Sequence, residues 1–159
     1  MEDSEIRTSL ERHHPAAYGW AKTCCRQDES IAEDVLQTAY WKILGGKARY
    51  GGQASFKTWL FSVIRRTAAE EWRRLLWRRL RFVITEPAYL DLAHEPPDTE
   101  SLDRADLTAM FRRALASLSA RQRQVLHLVF YDEMTLQEAS TAMDVSVGSA
   151  RQHYERGKA

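Results

Sequence analysis

Apolar residues recur three and four positions apart along most of this chain, the spacing that lines one face of a helix. In residues 5–26 they are Ile6, Leu10, Ala17, Trp20 and Ala21, with Pro15 as a kink or restart point. Ser30-Ile-Ala-Glu33 reads as a capping box, so a second helix is predicted from there to about Leu44. Gly45-Gly46 stops it, Gly51-Gly52 marks a mobile loop, and Ser55 caps a long third helix reaching about Arg81. The buried face of that helix is Phe56, Leu60, Val63, Ile64 and Ala68. Periodicity then fails over Thr85–Leu107, which holds Pro87, Pro96 and Pro97 and reads as a flexible linker.

Beyond the linker the pattern returns in shorter units. Ser119-Ala-Arg-Gln122 is a capping box opening a helix through Val125, Leu126 and Val129. Thr135-Leu-Gln-Glu138 is another, starting a helix with Leu136, Ala139 and Met143 on one face. Asp144-Val145 makes a turn and Ser146 caps the last helix, Val147–Lys158. Small Ala139 lets these last two helices cross closely, as a DNA-reading pair requires. The predicted fold is all-α: two small helical domains joined by a flexible acidic linker, the C-terminal one a helix-turn-helix. The expected bounds are 1–81, 82–109 and 110–159. With little chain after the last helix, its final turn is expected to be weakly anchored.

Charge sharpens this division. The whole chain carries a net charge of only +1. Residues 1–64 sum to zero, residues 65–81 to +5, residues 82–109 to −6 and residues 110–159 to +2. A near-neutral average therefore hides one basic helix and one acidic connector. The connector has a plain reading as a tether.

Trp59, Arg66 and Arg73 stand seven apart on the long helix, with Ser62 and Arg65 beside them. Interleaved aromatic and guanidinium groups suit nucleic acid, since phosphates take the charge and bases take the stacking. A solvated helix whose tryptophans complete a core has the same pattern, and both readings stay open at this point. Asp34, Gln37, Thr38 and Trp41 lie on adjacent rows of the second helix, an ordinary exposed edge or a docking surface. Cys24 and Cys25 are adjacent in a helical pattern and supply neither a disulfide framework nor a spaced metal motif. With His13 and His14 they form four candidate ligands that a helix points in diverging directions, so no metal and no cofactor is expected. There is no nucleophile–base pair and no phosphate loop, so an enzyme is not expected. No apolar run is long enough to span a membrane and no secretory signal opens the chain, which places it in the cytoplasm by expectation.

Three segments, in order, resemble the extracytoplasmic-function (ECF, group IV) sigma factors, the minimal promoter-recognition subunits of bacterial RNA polymerase. The first is Ala32-Glu-Asp-Val-Leu-Gln37 followed by Ala39-Tyr-Trp-Lys-Ile-Leu44. The second is Ser55-Phe-Lys-Thr-Trp-Leu60 leading to Glu70-Glu-Trp-Arg-Arg74. The third is Ala114-Leu-Ala-Ser-Leu-Ser-Ala-Arg-Gln-Arg-Gln-Val-Leu126 with the helical hairpin behind it. The match spans about residues 10–80 and 110–158, and the order and separation of the motifs carry it.

The resemblance implies an alternative sigma factor. Its N-terminal domain would bind core polymerase and the −10 element, and its C-terminal domain the −35 element. Asp34, Gln37, Thr38 and Trp41 would meet the polymerase clamp, with the C-terminal domain on the flap. Thr38 stands where the family often carries Glu, and phosphorylation there would restore the charge. The loop Gly45–Ala54 with Lys57, Trp59, Arg65, Arg66 and Arg73 would capture a flipped base and hold phosphates as the −10 element melts. Arg66 replaces a common Asn, so an unusual −10 preference is expected. Ser149, Arg151 and Gln152 would read duplex bases, while Arg121, Arg123, Arg156 and Lys158 would hold phosphates. The connector would run toward the RNA exit channel, and an anti-sigma partner covering both domains is expected. The alternative is a stand-alone helix-turn-helix regulator, which leaves the Trp/Arg helix and the acidic linker without a purpose.

Overall fold

The computed structural model describes residues 1–83 and 102–159, and every described element is helical. Helices α1 (Asp3–Cys24), α2 (Glu29–Leu44) and α3 (Phe56–Val83) pack against one another as an N-terminal bundle. Its core holds Leu10, Ala17, Trp20 and Ala21 from α1, Val35, Leu36 and Ile43 from α2, and Leu60, Phe61 and Ile64 from α3. Trp20 stacks on Phe61 at 5.6 Å and its indole N–H donates to the Phe61 carbonyl at 2.9 Å, so the largest buried side chain leaves no polar atom unmet.

Two local expectations need correction. Pro15 neither restarts nor ends α1, which continues through it to Cys24. The proline sits on the exposed face, where its missing N–H faces solvent rather than core. The cap of α2 is Asp28, whose carboxylate accepts from the Ile31 N–H at 3.1 Å, and Ser30 already lies inside the helix. An ionised cap at that end also complements the helix dipole, so Asp28 outcompetes the hydroxyl two residues later. Ser55 caps α3 as expected, accepting from the Thr58 N–H.

The C-terminal part comprises α4 (Leu102–Ser117), α5 (Ala120–Leu126), a π-helical turn over His127–Tyr131, α6 (Leu136–Met143) and α7 (Val147–Lys158). Both C-terminal capping boxes form, at Ser119/Gln122 and Thr135/Glu138, with each side chain bonding the other residue's N–H. Asp144 turns the chain at φ 56°, and the Ser146 hydroxyl accepts from the Ser149 N–H to start α7. Ala139 and Ala150 are fully buried where α6 and α7 cross. The last turn of α7 is anchored, contrary to expectation. A Cβ on Gly157 would lie 3.0 Å from the Leu126 side chain, and Tyr154 stacks on Phe130 at 5.9 Å. Gly157 thus sits in close contact with Leu126 where α7 packs on α5.

The two parts pack together, with α3 against α6 and α1 against α5. The His127 ring meets Trp20 at 5.6 Å and its Nδ1 bonds the Thr23 hydroxyl at 3.0 Å. Lys57 on α3 pairs with Asp132 at 3.2 Å. The connector's three prolines fall in residues 84–101, which lie outside the described residues, but its expected last part is not linker: residues 102–109 are the first turns of α4, whose register a stretch of scattered acids and few large apolar residues does not reveal.

Candidate functional site

The long helix α3 organises the site, because its faces serve different neighbours. Trp59, Ser62 and Arg66 fall on one face and, with the loop from Arg49 to Ala54, line a cavity of about 520 Å³. The loop is held by Tyr50, whose ring meets Trp59 at 5.3 Å and Phe56 at 5.6 Å. The Tyr50 hydroxyl donates to the Ala54 carbonyl across the glycine-rich turn. The opposite wall is not solvent but Ser140, Thr141, Asp144 and Val145, from the end of α6 and the turn after it. Asp144 is the one acid among these lining residues and faces a cavity that also carries Arg49 and Arg66. Aromatic wall, guanidinium and glycine-rich backbone together can take a stacked base with its phosphate.

The remaining candidates on α3 separate from this cavity. Arg73 is exposed further along the helix, with its Nε donating to the Ala69 carbonyl at 3.4 Å. Arg65 is half-buried on a different face and donates to the Gln124 side chain at 2.9 Å, so it does not join Trp59 and Arg66. Burial lowers its guanidinium's pKa. Lys57 is committed to Asp132 and lies 5.6 Å from the Phe61 ring. In this arrangement the Trp59/Arg66/Arg73 stripe lines the cavity at its start and is exposed at its end, whereas the flanking Arg65 and the nearby Lys57 are drawn to Gln124 and Asp132. The cause is contact with the C-terminal helices, which one helix's periodicity cannot reveal.

On α2, Asp34, Gln37 and Trp41 are exposed, and Trp41 keeps 63% of its surface in solvent with Lys47 over its ring at 4.3 Å. Thr38 is half-buried and its hydroxyl donates to the Asp34 carbonyl at 2.8 Å. Asp34, Gln37 and Trp41 thus form an exposed row of α2 rather than a core face.

On α7, Arg151, Gln152 and Arg156 are exposed and Ser149 is half-buried at the helix start. Lys158 lies over Tyr154 at 4.4 Å and pairs loosely with Glu155. His153 was missed by sequence reasoning. Burial lowers its pKa first, then Arg121 and Arg156, which marks a cationic neighbourhood shared by α5 and α7. Arg123 turns the other way, toward Arg26 on the N-terminal bundle, so it is not on that patch.

His13 stacks on Phe56 and His14 bonds the Tyr40 hydroxyl at 2.9 Å, so the histidine pair is used in aromatic contacts. Burial pushes the Cys25 thiol up to about 11 and raises Cys24 well above its ordinary value, which keeps both protonated. Among the described residues no cluster of three His, Cys, Asp or Glu could hold a metal ion, and no helix is long and apolar enough to cross a membrane.

Residues 10–79 match the family model "Sigma-70 region 2" and residues 114–158 match "Sigma-70, region 4". The chain is 27% identical over 134 residues to the ECF RNA polymerase sigma factor SigX of Bacillus subtilis, covering 82% of this chain and 69% of that one. It is 29% identical over 132 residues to the RNA polymerase sigma-E factor of Streptomyces coelicolor, covering 83% and 70%. Among solved structures, the sigma factor RpoE of Bartonella quintana, in complex with the anti-sigma factor NepR, superposes with a TM-score of 0.69 at 23% identity, covering 97% of this chain and 92% of that one. CnrH, in complex with the cytosolic domain of CnrY, gives 0.64 at 17%, covering 99% and 84%.

Proposed function

For a chain that belongs to the sigma-70 family, as an ECF-type sigma factor with regions 2 and 4, we propose the following division of work. The chain is an alternative sigma factor, not an enzyme, and it directs core RNA polymerase to promoters. Region 2 captures an unpaired base of the −10 element in the loop cavity, against Trp59 and Arg66. Arg73 and the arginines beyond it hold the backbone phosphates and slow strand return. The observation that carries this reading is the convergence of an aromatic wall, a guanidinium and a glycine-rich loop on the region 2 side of that cavity. Asp34, Gln37, Thr38 and Trp41 form the clamp-facing edge, and region 4 reaches the flap while Ser149, Arg151 and Gln152 read the −35 element as duplex. Arg121, Arg156 and Lys158 hold its phosphates.

In the packed arrangement the α6–α7 turn covers one wall of the base cavity. Simultaneous use of both DNA surfaces therefore requires region 4 to leave region 2, which also frees Lys57 and Arg65. We assign the chain to group IV and to the cytoplasm, and infer an anti-sigma partner that favours the packed form. Abortive transcription on a promoter pool, with and without core polymerase, tests this function. Initiation only with both components is expected. Binding of duplex promoter DNA by the free chain, without any polymerase-dependent initiation, would replace it with a stand-alone regulator. Within that assay Arg151→Ala is expected to shift −35 preference, whereas Arg73→Ala weakens opening at all promoters. The same effect from both variants would remove the division of labour.

A further inference from the structure

A second cavity, of about 170 Å³, lies between α1 and α3 of region 2 and α5 of region 4. Three guanidiniums line it, Arg26, Arg65 and Arg123, together with Trp72 and the polar groups of Thr23 and Gln124. None of the three arginines has a carboxylate within ion-pair distance among the described residues. The acids nearest in chain are already committed, Asp28 to the cap of α2 and Glu71 to Arg74. We propose that this cavity binds a phosphate group carried by a small molecule, with Arg26, Arg65 and Arg123 as its cationic clamp.

Cations are ordinarily kept apart or paired when water is withdrawn from them, because each unpaired charge loses its hydration without compensation. Here Arg65 and Arg123 are both partly buried, and Arg26 further disfavours the charge on Arg123. A phosphate supplies the missing negative charge and several acceptor oxygens, which planar guanidiniums meet in a forked geometry. The end of α1 positions the first of these arginines. Arg26 and Gln27 both hold left-handed φ values, 54° and 65°, and the turn delivers the Arg26 guanidinium to 4.8 Å from the Trp72 ring. That turn ends α1, closed by the Gln27 N–H on the Lys22 carbonyl at 2.8 Å, and it fixes where Arg26 stands. Cys24, Ala68 and Gln124 also line the cavity, whose volume of about 170 Å³ suits one phosphate or pyrophosphate and is too small for a helix. Because the clamp draws from both regions, occupancy favours the packed arrangement.

Calorimetric titration of the full chain with inorganic pyrophosphate, without polymerase or DNA, tests the site. Chloride and sulfate at matched ionic strength serve as references. Saturable one-site binding is expected, weakened at least tenfold by Arg26→Gln, whose side chain is exposed at the rim, and by Arg123→Gln. Arg7→Gln, near the far end of α1, is expected to leave it unchanged. Thermal melts of the same variants separate lost binding from lost folding, and Arg26→Gln alone decides the matter if Arg123→Gln unfolds. No saturable heat above the chloride reference, or equal weakening by Arg7→Gln, overturns the proposal. Displacement of the pyrophosphate by a short abasic oligonucleotide of higher affinity would overturn the small-molecule source and assign the clamp to a DNA backbone.

Discussion

Asp144 combines a backbone cost with a charge at the mouth of the base cavity. Its φ of 56° is a conformation that costs a side-chain-bearing residue about 1 kcal/mol, although Asp tolerates it better than most. Asp144→Gly is therefore expected to raise stability by about 0.5–1 kcal/mol in urea denaturation. It also removes the one acid that faces Arg49 and Arg66 across the packed form, which eases separation of the regions, so promoter affinity should rise and not fall. A loss of stability would mean that its side chain contributes more than the strain costs. His13 gives a pH test. Burial, then Lys57 and Arg12, hold its pKa below 6.5, and its ring rests on Phe56. On acidification below 6.5 the unfolded chain takes up this proton before the folded chain does, so stability falls toward the folded value. Between about pH 7.5 and about pH 5.5 the drop in Tm is expected to be smaller in His13→Gln than in the natural chain. Equal drops would place the acid sensitivity elsewhere.

Short helices depend on their ends more than long ones do, and α6 has only eight residues. The Thr135 hydroxyl accepts from the Glu138 N–H at 3.1 Å and the Glu138 carboxylate from the Thr135 N–H at 2.8 Å. Thr135→Ala is expected to cost about 1 kcal/mol, with hydrogen exchange accelerated first across α6. Exchange that rises uniformly over the chain would show that α6 does not open as its own unit. Elements of this kind were legible in the sequence because their signals are local. The capping boxes at Ser119 and Thr135, the turn at Asp144 and the buried row Leu60, Val63, Ile64, Ala68 each concern residues within a few turns of one another. The misreadings share the opposite property. Asp28 was overlooked beside a better-known cap pattern, and Pro15 was given too much weight because its exposed side could not be seen. The contacts Lys57 makes with Asp132 and Arg65 with Gln124 in the packed form were not legible either, because those residues lie far away in sequence. Tyr50 was present as an aromatic in the glycine-rich loop, but only the fold shows it bracing Trp59.

At the scale of the whole molecule the question is what holds region 4 on region 2, and His127 is the residue at that junction. The widened π-helical turn places its ring against Trp20, stacks it on Tyr131 at 5.3 Å, and brings its Nε2 to 3.0 Å from Asp132. Its other nitrogen bonds Thr23, so one side chain joins α1 to the end of α5 and to the carboxylate that pairs with Lys57. Neither bundle's own core is built on it, since Leu128 and Val125 fill region 4 and Phe61 remains stacked on Trp20 in region 2. His127→Ala is accordingly expected to loosen the packing of the regions while each stays folded. The loss is on the order of 1–2 kcal/mol, which shifts the packed-to-separated ratio roughly tenfold. Small-angle scattering reads this directly, because a compact chain of this length has a radius of gyration of about 15 Å and separated regions exceed it. Promoter capture with core polymerase should then need less protein, since less free energy is spent in uncovering Trp59 and Arg66. A larger radius without easier promoter capture would mean that core polymerase separates the regions at no measurable cost. An unchanged radius would move the latch from His127 to the Lys57–Asp132 pair and the α3–α6 contact.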